Sequence, residues 1–145
     1  MNLLDDEPQR FGESLGATLW GGTLYELAPA EETRYHWQFG EEEFLIVIAG
    51  RPTLRTPEGE RELAEGDAVP FPAGQEGAHQ VVNRTAAPAR YLVFARHVTP
   101  EVVEHLDSGK IIAMAHSESQ TGKPLWSVHR LADAADYFDG EEPKS

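Results

Sequence analysis

Short apolar runs cut apart by glycine and proline constrain this chain more than any other feature. Between residues 44 and 98 it contains FLIVIAG (44–50), PTLRT (52–56), AVPFPAGQEGAH (68–79), HQVVN (79–83) and RYLVFARHV (90–98). Runs this short and this rich in β-branched and aromatic residues read as strands, and turn signals recurring every ~8–12 residues describe a β-sandwich or barrel. ATLWGGTLYEL (17–27), KIIAMAH (110–116) and LWSVHRL (125–131) extend the same pattern. One segment departs from it. TPEVVEHL (99–106) offers Thr99 as an N-cap, Pro100 at the first helical position and Glu101 in the first turn, which predicts a short helix.

The run FLIVI is apolar on both faces. Leu45, Val47 and Ala49 point one way and Phe44, Ile46 and Ile48 the other, so the strand needs cover on both sides. That cover is expected from the segment at 17–27, from LWSVHRL, or from a second copy of the chain in a homodimer. With 145 residues and no repeat or linker, the chain reads as a single all-β domain, residues 1–145, its barrel core at about 17–131 between acidic extensions.

Composition removes several function classes. The chain has no cysteine, which excludes disulfides, thiolate metal sites and cysteine nucleophiles. Lys and Arg number 12 against 25 Asp and Glu, and a net charge of −13 repels a nucleic-acid backbone. No stretch approaches the ~18 apolar residues of a membrane span, and MNLLDDEPQR lacks the basic and apolar parts of a secretory signal. A cytoplasmic protein is expected, with a small molecule as its partner rather than nucleic acid or membrane.

YHWQFGEEEFLIVIAG (35–50) carries the chemistry. His36 and Gln38 share a strand face. If FGEE (39–42) is a hairpin turn, Glu43 starts the returning strand nearly opposite Gln38, on the core-facing side. A carboxylate facing a core is compensated most strongly by a bound cation; the alternative is that Glu43 only continues a solvated EEE run. A second histidine decides between them.

His36, Gln38, Glu43 and Gly50, followed by Gly66, Pro72, Gly74, His79 and Asn83, resemble the two consecutive motifs of the cupin superfamily, over residues 29–97. The tail, from SGKIIAMAH onward, is similar to that of small bacterial single-domain cupins. The resemblance implies a double-stranded β-helix (jelly-roll) barrel, with metal ligands at His36, Glu43 and His79 and Gln38 where the family carries a further histidine. It also implies one divalent transition metal ion (Fe, Mn, Ni or Zn) and, because similar small cupins are often dimers, makes a homodimer the preferred cover for the outward face of FLIVI. An amide oxygen is a weaker ligand than imidazole, while two histidines and a carboxylate still make the facial triad of non-haem iron enzymes. The family's opening glycine is Ala30 here, and four residues rather than two separate Gly74 from His79.

Other conspicuous residues have plainer readings. Ser14 in GESLG matches a nucleophile-elbow pattern, but no buried strand precedes it. Asn83 reads as the residue that holds the turn after its strand rather than a glycosylation site. His97, His105, His116 and His129 read as ordinary surface or core histidines, and Tyr35 and Trp37 as packing residues. Three roles follow: a metal-dependent enzyme acting on a small oxygenated molecule, a non-catalytic binding or sensing module using the same cavity, and a storage protein. Arg34, Tyr91 and His97 are the candidates for a proton donor or acceptor beside the metal, and no residue carries a catalytic signature. The lack of an output segment favours the enzyme.

Overall fold

A computed structural model describes residues 7–12, 15–118 and 122–141, so Ser14 lies outside the described residues. In chain order the strands are β1 (Gln9–Phe11), β2 (Trp20–Leu27), β3 (His36–Gln38), β4 (Glu43–Ala49), β5 (Thr53–Thr56), β6 (Gly59–Glu62), β7 (Ala68–Phe71), β8 (Gln80–Val82), β9 (Ala89–Arg96), β10 (Glu101–His105), β11 (Lys110–Glu118) and β12 (Pro124–Arg130). One sheet runs β1-β2-β9-β4-β7, a second β12-β11-β10-β3, and a third β6-β5-β8. Antiparallel bridges His36↔His79 and Glu32↔Val82 join the second and third into one continuous surface. The result is an all-β jelly-roll sandwich whose sheets remain open at their edges.

The core sits between these surfaces. From β4, Leu45 and Val47 meet Leu54 of β5, Val81 of β8, Phe71 of β7 and Tyr91 of β9. β-Branched and aromatic side chains fit a pleated surface packed against a core, which explains the enrichment of these residue types in the strands. Tyr25 stacks on Tyr91 with ring centroids 5.1 Å apart. Asn83 is fully buried and donates from Nδ2 to the carbonyls of Leu27 and Ala87. It ties the turn after β8 to β2, as its place at the end of the motif suggests.

Two sequence expectations are overturned. The segment at 99–106 is not helical: residues 101–105 form β10, paired with β3 on one side and β11 on the other. β11 pairs with it along residues 101–105 and β3 along 103–105, and the adjacent β-branched Val102 and Val103 suit a strand, so tertiary pairing outweighs the local start signal. Nor do β3 and β4 form a hairpin. β3 pairs with β10, whereas β4 pairs with β7 and β9, so the chain crosses from one surface to the other at residues 39–42. Glu101 stabilises that crossing by accepting hydrogen bonds from the backbone N–H groups of Phe39 and Gly40.

The outward face of β4 is only partly covered within the chain. Phe11 of β1 packs edge-on against Phe94, the register partner of Phe44, while Phe44 itself stays 45% exposed. Trp37 is buried on the far face of β3, stacked on Phe39 with its indole N–H donated to Glu104, and Tyr35 lies under the Arg55 guanidinium. Among the described residues no helix is long and apolar enough to cross a membrane.

Candidate metal centre

The bridge between the second and third sheets sets the centre. His36 and His79 exchange backbone hydrogen bonds of 3.1 and 2.9 Å, which places their rings side by side, centroids 4.6 Å apart, on the inner face. Glu43 enters from β4 on the opposing sheet. Its Oε2 lies 3.3 Å from His79 Nε2 and 3.9 Å from His36 Nε2. The three donor atoms fall within 4.8 Å of one another, the spread expected for ligands of one ion.

Tautomers are fixed by backbone. His36 Nδ1 donates to the Arg34 carbonyl and His79 Nδ1 to the Gly77 carbonyl, each at 2.9 Å. Because a carbonyl only accepts, both protons sit on Nδ1 and both Nε2 lone pairs face Glu43, the arrangement that metal-bound histidines show. Phe71 stacks on the His79 ring at 3.6 Å and fixes its plane.

Electrostatics point the same way. Burial holds His36 below the usual histidine range, against the opposing bond to Arg34. It pushes His79 down to about 3, and His36 adds to that shift. Both rings are therefore neutral at ordinary pH. Burial pushes the Glu43 carboxyl up to about 7; a hydrogen bond from Gln38 opposes this, and the charges of Glu41 and Glu101 reinforce it. Glu43 Oε2 is buried with no hydrogen-bond partner. Two lone pairs and an unpartnered carboxylate oxygen converge on one point, so a positive guest, proton or cation, is needed there. The donor set of two imidazoles and one carboxylate fits a divalent transition metal.

The structure thus brings His36, Glu43 and His79 together and sets Gln38 beside them. Gln38 engages the Glu43 carboxylate, so its amide NH2 is turned to that residue. Of the residues weighed for proton transfer, Tyr91 is buried near the centre, with its phenol held in the protonated form first by burial and then by Tyr25 and Glu43. Arg34 is exposed. His97 lies outside the cluster, packed over Gly21 with Nδ1 3.9 Å from Glu41. The side chain of His116 is outside the described residues, and His129 hydrogen-bonds Ser127 on β12.

Sequence reasoning missed Phe71, the carbonyl of Gly77 and, most of all, His105. Strand pairing sets His105 directly opposite His36, rings 6.0 Å apart in an edge-on contact. The signal was present: in Glu-Val-Val-Glu-His, strand periodicity puts Glu101, Val103 and His105 on one face, and the helical reading concealed it.

Comparison with known proteins adds a family. The model of the Cupin domain family matches residues 23–95, which contain all three converging residues but not His105. No curated protein matches the chain. Among solved structures it is similar to a sugar phosphate isomerase of the cupin superfamily from Silicibacter pomeroyi, 28% identical, covering 91% of this chain and 80% of that one with a TM-score of 0.76. A candidate sugar phosphate isomerase from Acidithiobacillus ferrooxidans is 26% identical, covering 89% and 78%, with a TM-score of 0.75. A polyketide cyclase from Streptomyces resistomycificus, at 21% identity over 70% and 81% and a TM-score of 0.58, shares the fold.

Proposed function

Because this chain belongs to the cupin domain family, we propose that it is a metal-dependent enzyme acting on a small polyoxygenated molecule, with sugar phosphates as the substrate class and isomerisation as the reaction. The observation that carries this is the convergence of two Nε2 lone pairs and the unpartnered Glu43 oxygen. The two sugar phosphate isomerase relatives, matched over about nine-tenths of the chain, support the substrate class. A divalent ion held there supplies a Lewis acid able to bind and polarise adjacent hydroxyl and carbonyl oxygens.

The chain's own residues do the rest. The Arg34 and Gly77 carbonyls keep each imidazole in the ligating tautomer. Phe71 prevents His79 from rotating. Gln38 orients Glu43 by hydrogen bonding and favours its charged form, in the manner of the partners that usually support metal-bound carboxylates. The side chains of His79 and Glu43 are 6% and 13% exposed while that of His36 is 21% exposed, so a substrate reaches the centre from the His36 side.

Metal content of protein purified without added metal, followed by calorimetric titration with Zn²⁺ or Ni²⁺, tests the reading. Glu43→Ala should abolish binding, since it removes the only anionic ligand. Gln38→His should tighten binding by roughly tenfold, about 1.4 kcal/mol, because the added imidazole nitrogen donor outweighs the loss of the amide's hydrogen bond to Glu43. Equal affinities in all three proteins would place any metal elsewhere and remove the proposal. We also propose that a second copy of the chain covers the outward face of β4, giving a homodimer.

A further inference from the structure

The centre continues outward as a row of basic side chains. In the register of the second sheet His36 pairs with His105, His105 with Lys110, and Lys110 with Arg130. Residues paired directly across antiparallel strands project to the same face, so these four form one line from β3 to β12. Arg34, two residues before His36, joins them: the titratable groups acting on His105 are His36, Arg34 and Lys110, with no carboxylate among them.

Glu32 and Asp107 stand near Arg34 and His105, but Asp107 is taken up by Arg55 and neither forms an ion pair with the row among the described residues. Arg51, Arg55, Arg84 and Arg90 each hold an ion pair. Arg34, Lys110 and Arg130 make no side-chain hydrogen bond or ion pair with any described residue. Placing three such cations along one face beside the most exposed ligand costs self-repulsion that a bound anion would relieve.

Distance selects the ligand. Neighbouring strands lie about 4.8 Å apart, which puts the Lys110 backbone ~10 Å from that of His36. The flexible lysine stem lets its ammonium fold back over His105. An extended five- or six-carbon chain advances about 1.2 Å per bond and spans ~6 Å from a metal-held oxygen to a terminal substituent, which falls at this ammonium. A phosphate monoester is doubly charged and rewards several cationic donors, whereas one arginine suffices for a carboxylate.

We propose that Lys110 and Arg130, with Arg34, form the subsite for the phosphate of the substrate, and that His105 lines the passage between it and the metal. The proposal rests on the sugar phosphate reading above and names the residues that would make the enzyme prefer a phosphorylated sugar to the free one.

The test is calorimetric titration of the full-length chain with inorganic phosphate, without added metal so that the anion has no ion to bind. Parent protein should bind with millimolar affinity. Lys110→Gln and Arg130→Gln should each weaken binding at least fivefold with unchanged circular dichroism; Arg84→Gln, whose guanidinium is held by Glu60 elsewhere, should match the parent. Ribose 5-phosphate should bind more tightly than ribose, and Lys110→Gln should abolish the difference. Phosphate affinity equal in the parent and both variants, or no phosphate binding at all, overturns the subsite. A parallel Zn²⁺ titration of the parent separates the two proposals: zinc uptake without phosphate binding overturns the subsite alone, whereas phosphate binding lost in Lys110→Gln without zinc uptake supports the subsite and overturns the metal reading.

Discussion

Ala30 holds a left-handed backbone, φ +66°, on the approach to β3, and its N–H donates to the Asn83 carbonyl. An L-residue with a Cβ in that region loses ~1–2 kcal/mol, and glycine gives back ~0.5–1 kcal/mol through its freer unfolded chain. Ala30→Gly should therefore stabilise the fold by about 0.5–1 kcal/mol and raise the thermal midpoint by about 2 °C, measurable by scanning calorimetry. A second expectation concerns protons. With His79 down at about 3 and Glu43 up at about 7, the apo centre at pH 6 holds its proton on the carboxyl and none on that imidazole. A divalent ion must displace it, so metal affinity should rise as pH climbs towards 7 and level off above. Titrations at pH 6 in buffers of different ionisation enthalpy should report about one proton released. The convergence of His36, Glu43 and His79 was readable from the sequence, because their spacing resembles a known motif. Phe71 and the carbonyl of Gly77 were not, since a ring stack and a backbone acceptor leave no mark on residue type.

At the scale of elements, the runs that became β4, β5, β8 and β9 were legible because each is short, rich in β-branched and apolar residues, and bounded by glycine or proline turns. Partners across the sandwich were not legible: the pairing of β3 with β10 joins segments more than sixty residues apart, and spacing tells which side chains share a face, not which strand lies alongside. Glu101 illustrates the difference. Read locally it is a helix-start carboxylate; in place it is buried and accepts hydrogen bonds from the N–H groups of Phe39, Gly40 and Val102. Glu101→Ala would leave the Gly40 donor without an acceptor, and urea unfolding should show a loss of about 2 kcal/mol. The same substitution should loosen the 39–42 crossing that delivers Glu43 to the centre.

For the whole molecule, the proposed dimer rests on the outward face of β4. Phe11 covers the neighbourhood of Phe94, yet Phe44 remains 45% exposed, and Trp126 on the edge strand β12 is 65% exposed. Apolar surface of this kind in a folded chain marks a site of association. Light scattering at micromolar concentration should return about twice the 16.1 kDa of one chain, and Phe44→Glu should shift the protein towards the monomer. A parent protein of single-chain mass would remove that assignment.

The two imidazoles of the centre belong to one surface of the sandwich and the carboxylate to the other. A cation lodged between them would accordingly be a rivet through the molecule as well as a reagent: it would reinforce two layers held together by burial and by a few bonds such as that from Asn83 to the Leu27 carbonyl. Each tenfold excess of free ion over its dissociation constant then adds about 1.4 kcal/mol to the resistance of the fold against unfolding. Scarcity of the metal would be felt as softness of the whole sandwich, and the hinge of that softness is the contact of Glu43 with His79.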